Sequence, residues 1–193
     1  MFDAEQFAAD CRAALSERDA QGSVREIVAR AAADPASVIK QLGAPERGGI
    51  SPLYRSDTLT ILNVIWAPRM TLYPHNHRMW AVIGIYGGRE DNIFWRRVPD
   101  SNTGQVEAAG AKSLSDGDAV QLGPDIIHSV TNPINQLTGA IHVYGGDFFR
   151  ADRSEWDPES LTERPCDVQQ IVRLFEEYDA AGTKELNAPL GQS

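Results

Sequence analysis

Apolar and polar positions divide this chain into three textures. Over the first fifty residues Val24, Ile27, Val28 and Ala31 recur at helical spacing, which predicts amphipathic helix, with Ser23 and Glu26 placed as a capping box. Asp34-Pro35 then predicts a short further helix, an N-cap followed by proline, carrying Val38, Ile39 and Leu42. Gly43, Pro45 and Gly48-Gly49 end the helical pattern. From Leu53 to Phe149 the texture becomes short β-branched and aromatic runs. Candidate strands are Leu59–Trp66, His77–Tyr86, Asn92–Val98, Ala119–Gly123, Ile126–Asn132 and Thr138–Gly145, separated by turn signals such as Gly87-Gly88 and Asn132-Pro133. This is the pattern of an antiparallel sandwich or barrel. Past Arg150 a polar stretch leads into a helix expected over 167–181, capped by Asp167, with Ile171, Leu174, Phe175 and Tyr178 on one face. Residues 1–193 are therefore expected to form a single, mostly β domain: a helical extension over 1–50, a β core over 53–149 and a C-terminal segment over 150–193. There is no internal repeat.

Composition narrows the partners. With 193 residues, 42% hydrophobic and 23% charged, the chain has the makeup of a globular domain able to bury one core. Its net charge of -9 disfavours nucleic acid and anionic membrane, both of which reward clustered Lys and Arg. No run approaches the ~20 apolar residues of a membrane span. The start MFDAEQFAAD is acidic, unlike a secretory or transit signal, so the cytoplasm is the expected compartment, with Cys11 and Cys166 reduced. A monomer or homodimer is expected.

All four histidines fall in or beside the β core: His75, His77, His128 and His142. In PHNH the i, i+2 spacing sends two imidazoles to the same side of a strand, where two neutral nitrogens can take adjacent positions on a metal ion. His128 follows a GD turn and a strand. His75, His77 and His128 are thus the candidate ligands.

These residues resemble the two motifs of the cupin superfamily, whose fold is a double-stranded β-helix barrel. The first motif carries a glycine, HxH, a glutamate and a closing glycine; here His75, His77 and Gly88 fit, while Arg69 stands for the opening glycine. The second is matched by Gly117, His128 and Asn132, with its proline shifted to Pro124 and its second glycine replaced by Asp125. The glutamate is absent, because Ala81 and Val82 occupy its place. Three neutral imidazoles would leave a metal's full +2 charge and about three open positions, suited to a thiolate beside dioxygen.

A cupin without that glutamate is similar to the thiol dioxygenases, the cysteine and 3-mercaptopropionate dioxygenase group. HNHRMWAVIGIYGG resembles the HxH strand of that group and AIHVYGG its S-x-H-x-Y segment, with Ala140 for the serine. No cysteine stands near Ala81 to form the Cys–Tyr crosslink of the animal enzymes. The resemblance implies an iron(II) cofactor, dioxygen and a small carboxylated thiol as reactants, and a sulfinate product. His142 and Tyr144 would be the catalytic pair facing the iron. For the substrate carboxylate it offers two arginines: Arg55, with its neighbour Tyr54, near the position used by cysteine-type enzymes, and Arg153 near that of mercaptopropionate-type enzymes. Trp66 and Trp80 are assigned to packing and Asp147 to a turn. The same ligands would also serve a metal-dependent cupin acting on a non-thiol substrate, or a ligand-binding cupin without activity.

Overall fold

The structure is a computed structural model that describes the backbone of residues 1–186 and the side chains of residues 1–181. Three helices come first: α1 (Ala4–Ala14), α2 (Ala20–Ala32) and α3 (Pro35–Leu42). Each starts at an aspartate whose side chain accepts a backbone N–H of the first turn: Asp3 from Gln6, Asp19 from Gly22 and Asp34 from Ser37. Asp34-Pro35 behaves as its sequence predicts. The Ser23/Glu26 capping box does not form, because Asp19 starts α2 a turn earlier and leaves Ser23 inside the helix.

Strands follow in the order β1 (Gly49–Arg55), β2 (Thr60–Trp66), β3 (Thr71–Asn76), β4 (Ala81–Gly87), β5 (Arg89–Arg97), β6 (Val106–Ser115), β7 (Ala119–Leu122), β8 (Ile127–Thr131), β9 (Thr138–Tyr144), β10 (Ser154–Trp156) and β11 (Glu163–Pro165). Helix α4 (Val168–Leu186) closes the described chain, with Asp167 accepting Gln170 N–H at 3.0 Å. The strands form two sheets, β1-β2-β9-β4-β7 and β11-β10-β3-β8-β5-β6. The pairs β5·β6, β4·β7, β3·β8 and β2·β9 are all antiparallel and nest as one long hairpin. That hairpin is wound so that its arms alternate between sheets, with β4·β9 and β5·β8 joining successive turns. This is the double-stranded β-helix, or jelly roll, in which winding removes most free edges.

The first sheet is covered on both faces, which is why β2, β4 and β9 read as near-continuous apolar runs. Its outer face packs Ile61, Val82, Ile141 and Val143 against Val24 and Val28 of α2 and Phe7 and Cys11 of α1. Gly84 permits this closeness, since a Cβ there would overlap Val28 Cγ1. Between the sheets lie Leu62, Val64, Trp66, Leu72, Ile83 and Val130, joined by Ile171 and Phe175 of α4.

Several strands were not legible in advance. The run His77–Tyr86 is not one strand: Arg78 takes a left-handed backbone (φ 56°), the chain changes sheets there, and β4 begins at Ala81. His75 instead lies in β3, whose Pro74 obscures the strand, and His77 falls just past its end. Strand β6 is largely exposed and carries alanine and glycine; its partner β5 holds it in place through a register from Arg89↔Ser115 to Arg97↔Val106. Strands therefore extend from Gly49 to Pro165, beyond the expected core. Among the described residues, no helix is long and apolar enough to cross a membrane.

Candidate metal centre

The nested hairpin sets His75 of β3 directly across from His128 of β8, as Cα partners in an antiparallel pair. His77 follows one residue past β3 and turns back toward them. The three Nε2 atoms converge: His77 to His75 at 3.2 Å and His77 to His128 at 3.3 Å. All three rings are buried between the sheets. The other ring nitrogen of two of them is committed, since His75 Nδ1–H donates to the Tyr73 carbonyl at 3.0 Å and His128 Nδ1–H to Asn92 Oδ1 at 2.7 Å. Each of these two rings therefore turns an unprotonated Nε2 to the common point.

Burial also keeps the rings neutral. It pushes His75 down to about 4, and pushes His77 and His128 well below the ordinary histidine value, with neighbouring imidazoles adding to the effect. The unprotonated Nε2 atoms of His75 and His128 face the same point as His77 Nε2, an arrangement that a shared cation would satisfy. Nitrogens about 2.0–2.1 Å from one ion would be separated by about this much. The residues present fit a divalent metal, held by His75, His77 and His128.

A cavity of about 170 Å³ opens onto this cluster. Its walls are mostly apolar, including Leu62, Val64, Leu72, Val130, Phe148 and Ile171, and none of its lining residues is acidic. Tyr144 and His142 line it too, with Tyr144 Oη 2.9 Å from His142 Nδ1. Burial raises the Tyr144 hydroxyl above its ordinary value, so it remains a neutral phenol.

The two candidate arginines part company. Arg153 lies in the cavity wall, 7% exposed, with its guanidinium 3.9 Å from the Phe148 ring centroid and its Nε without a hydrogen-bond partner. No carboxylate lies within ion-pair distance of it among the described residues. Arg55 is absent from the cavity lining: its side chain is 46% exposed and is held by Asp147 through two 3.0 Å hydrogen bonds. Asp147 thus fixes Arg55 as well as its own turn, where it accepts Phe149 N–H at 3.1 Å. Tyr54 packs with the N-terminal helices, its ring 5.7 Å from the Arg12 guanidinium, on the far face of the first sheet.

Glu90 and Asn92 were not singled out as site residues. They alternate on the inward face of β5, both buried, and Asn92 supports His128 directly. The signal was an acid and an amide at i, i+2 just after the Gly87-Gly88 turn. Trp66, assigned to packing, does pack against Phe175, and it also donates its indole N–H to Glu90 Oε2 at 2.8 Å.

Fold and cluster together define the class: a cupin-type double-stranded β-helix with a buried three-histidine site suited to a metal ion. No protein-family model matches the chain. Similar solved structures include a cupin family protein of double-stranded β-helix fold from Methanocaldococcus jannaschii, at 9% identity over 55% of this chain and 86% of that one, with TM-score 0.44. A DMSP lyase from Ruegeria pomeroyi DSS-3 is similar at 18% identity over 58% of this chain and 53% of the lyase, with TM-score 0.46. An uncharacterised protein with a double-stranded β-helix domain from Klebsiella pneumoniae is similar at 12% identity over 58% of this chain and 81% of that one, with TM-score 0.43. These likenesses concern the arrangement of strands.

Proposed function

We propose that the protein is an iron(II)-dependent dioxygenase that converts a small carboxylated thiol to its sulfinate, as the resemblance to the thiol dioxygenases implies. The observation that carries this reading is a single cavity holding three convergent neutral imidazoles and a buried arginine with no carboxylate partner. Iron(II) held by His75, His77 and His128 would supply open positions at which a thiolate and dioxygen meet.

The chain's own residues do the rest. A buried unpaired guanidinium is costly, and a substrate carboxylate answers it with a charge-assisted, two-pronged contact. Arg153 therefore anchors the substrate's far end, with Phe148 beneath the guanidinium. No acidic group lines the cavity to receive an ammonium, which favours a mercapto acid over an amino acid such as cysteine. The cavity holds about six waters' worth of volume, which limits the substrate to a short chain. Its apolar walls displace water from the reacting sulfur. The phenol of Tyr144, steadied by His142, presents a neutral polar group to the same space and orients the reactants. In the overall step, thiolate plus dioxygen gives sulfinate, and the thiol proton passes to solvent.

The test is anaerobic reconstitution with iron(II), followed by oxygen uptake with a panel containing 3-mercaptopropionate, mercaptosuccinate, cysteine and carboxylate-free thiols. Thiol and oxygen should disappear one for one without a reducing cosubstrate, and both product oxygens should come from labelled dioxygen. If no thiol drives uptake by the iron-loaded protein, the dioxygenase reading falls and the metal-binding cupin remains.

A further inference from the structure

Behind the histidine cluster lies a buried carboxylate that the proposed chemistry does not use. Glu90 is 0% exposed, yet it is not one of the converging metal-ligand groups; both of its oxygens are turned to other partners. Oε1 accepts Asn92 Nδ2–H at 2.9 Å, and Oε2 accepts the Trp66 indole N–H at 2.8 Å. Oε2 also lies 3.7 Å from His142 Nε2, a buried atom with no hydrogen-bond partner of its own. Bonds and contacts therefore run without a break from the ligand cluster to the tyrosine: His128, Asn92, Glu90, His142, Tyr144.

The directions along this chain are set from its middle. An indole donates only, so Oε2 must accept, and a carboxylate receiving two N–H groups acts purely as an acceptor. Asn92 must then turn its NH₂ to Glu90, which leaves its oxygen facing His128. An oxygen at that point requires hydrogen on His128 Nδ1, and so an unprotonated Nε2 facing the cluster. On the other side, a carboxylate oxygen near His142 Nε2 favours hydrogen on that nitrogen. His142 Nδ1 is then left to accept the Tyr144 O–H.

We infer that Glu90 is a positioning residue for both halves of the site, fixing the tautomer of the candidate ligand His128 through Asn92 and that of His142 across its second oxygen. The inference rests on the three-histidine centre and is independent of thiol chemistry. It accounts for a carboxylate sealed inside a barrel beside a candidate ligand cluster that it does not join. Outer partners of this kind orient the ligand ring and raise its basicity.

The experiment uses the full chain loaded with zinc or cobalt(II), with no thiol and no oxygen. In the zinc-loaded wild type, ¹⁵N NMR of labelled histidine should show His128 with hydrogen on Nδ1 and His142 with hydrogen on Nε2. In Glu90→Gln the amide offers one acceptor and one donor where two acceptors are needed, so Asn92 or Trp66 loses its partner. Cobalt(II) affinity, read by chelator competition, should fall about 10- to 100-fold, and the His142 tautomer preference should be lost. Asn92→Leu should lower cobalt affinity by a similar factor while leaving the His142 tautomer as in the wild type. The double variant should be no weaker than the weaker single variant by more than about threefold, because both act through one chain. A wild-type His142 bearing hydrogen on Nδ1 would overturn the inference, and that measurement does not depend on any variant folding. So would cobalt affinity within twofold of wild type in either single variant, or losses that multiply in the double variant. The thiol reading could fail in its oxygen assay while every one of these results held.

Discussion

His75, His77 and His128 each contribute one Nε2 to the same point, and among the described residues no further ligand group joins them. His75→Ala, His77→Ala and His128→Ala should each lose most bound metal, measured by elemental analysis after reconstitution. His142→Ala should retain it, because His142 faces Tyr144 and Glu90 and lies outside the cluster. If His142→Ala empties the site while His128→Ala does not, the ligand assignment is wrong. Arg153→Met keeps the bulk of the side chain and removes its charge. For a carboxylated thiol it should weaken apparent binding by about 2–4 kcal/mol, as when a buried charged contact is broken. A thiol without a carboxylate should be little affected. Arg55→Ala removes an exposed pair with Asp147 and should leave KM unchanged, with stability altered by less than about 1 kcal/mol. A KM effect confined to Arg55 would move the carboxylate site.

At the scale of elements, the barrel is pinned where β8 ends and the chain turns toward β9. Asn132 is fully buried there, and its amide N–H groups donate to the Trp66, Ala67 and Gln136 carbonyls at 3.2, 2.9 and 2.8 Å. One side chain thus ties the end of β2 to the β8–β9 turn. Asn132→Ala would strand buried carbonyls and should destabilise the fold by about 2–3 kcal/mol, read from urea unfolding, without touching the histidine cluster. A second contact of this kind is Gly84, where α2 rests on β4. Gly84→Val would force helix and sheet apart and should cost about 1–3 kcal/mol or more. An unchanged unfolding midpoint in both variants would contradict the packing described.

For the molecule as a whole, the second sheet's outer elements are held by ion pairs as well as by the buried cluster of Val106, Ile127 and Trp156. Glu163 of β11 takes two hydrogen bonds from Arg97 of β5, at 2.6 and 2.8 Å, and these hold its carboxyl down at about 2, against an ordinary 4.5. A carboxyl depressed in the folded state stabilises fully above about pH 4.5, and that contribution is lost as pH falls toward 2. Wild-type stability should therefore drop across that window, and Glu163→Gln should show a shallower drop when urea midpoints are followed against pH. Parallel curves for the two proteins would rule out this pair as a source of the acid sensitivity.

Local spacing and periodicity were legible in the residues alone. They gave away the β core, the Asp34-Pro35 helix start, the apolar face of α4 and the three histidines, because alternation, capping and HxH spacing act between residues close along the chain. They misplaced His77 at the head of a strand running on to Tyr86, since nothing local marks the change of sheet at Arg78. They passed over β6, which is a strand only because β5 pairs with it. The tertiary structure also sets the two arginines apart: both follow from the same resemblance, yet Arg55 meets Asp147 at the surface, whereas Arg153 lines the cavity with no carboxylate within ion-pair distance among the described residues. Only the tertiary structure placed Glu90 behind the cluster, through the register that sets β5 beside β8. Register and burial depend on contacts between residues far apart in sequence, and those are settled when the barrel closes.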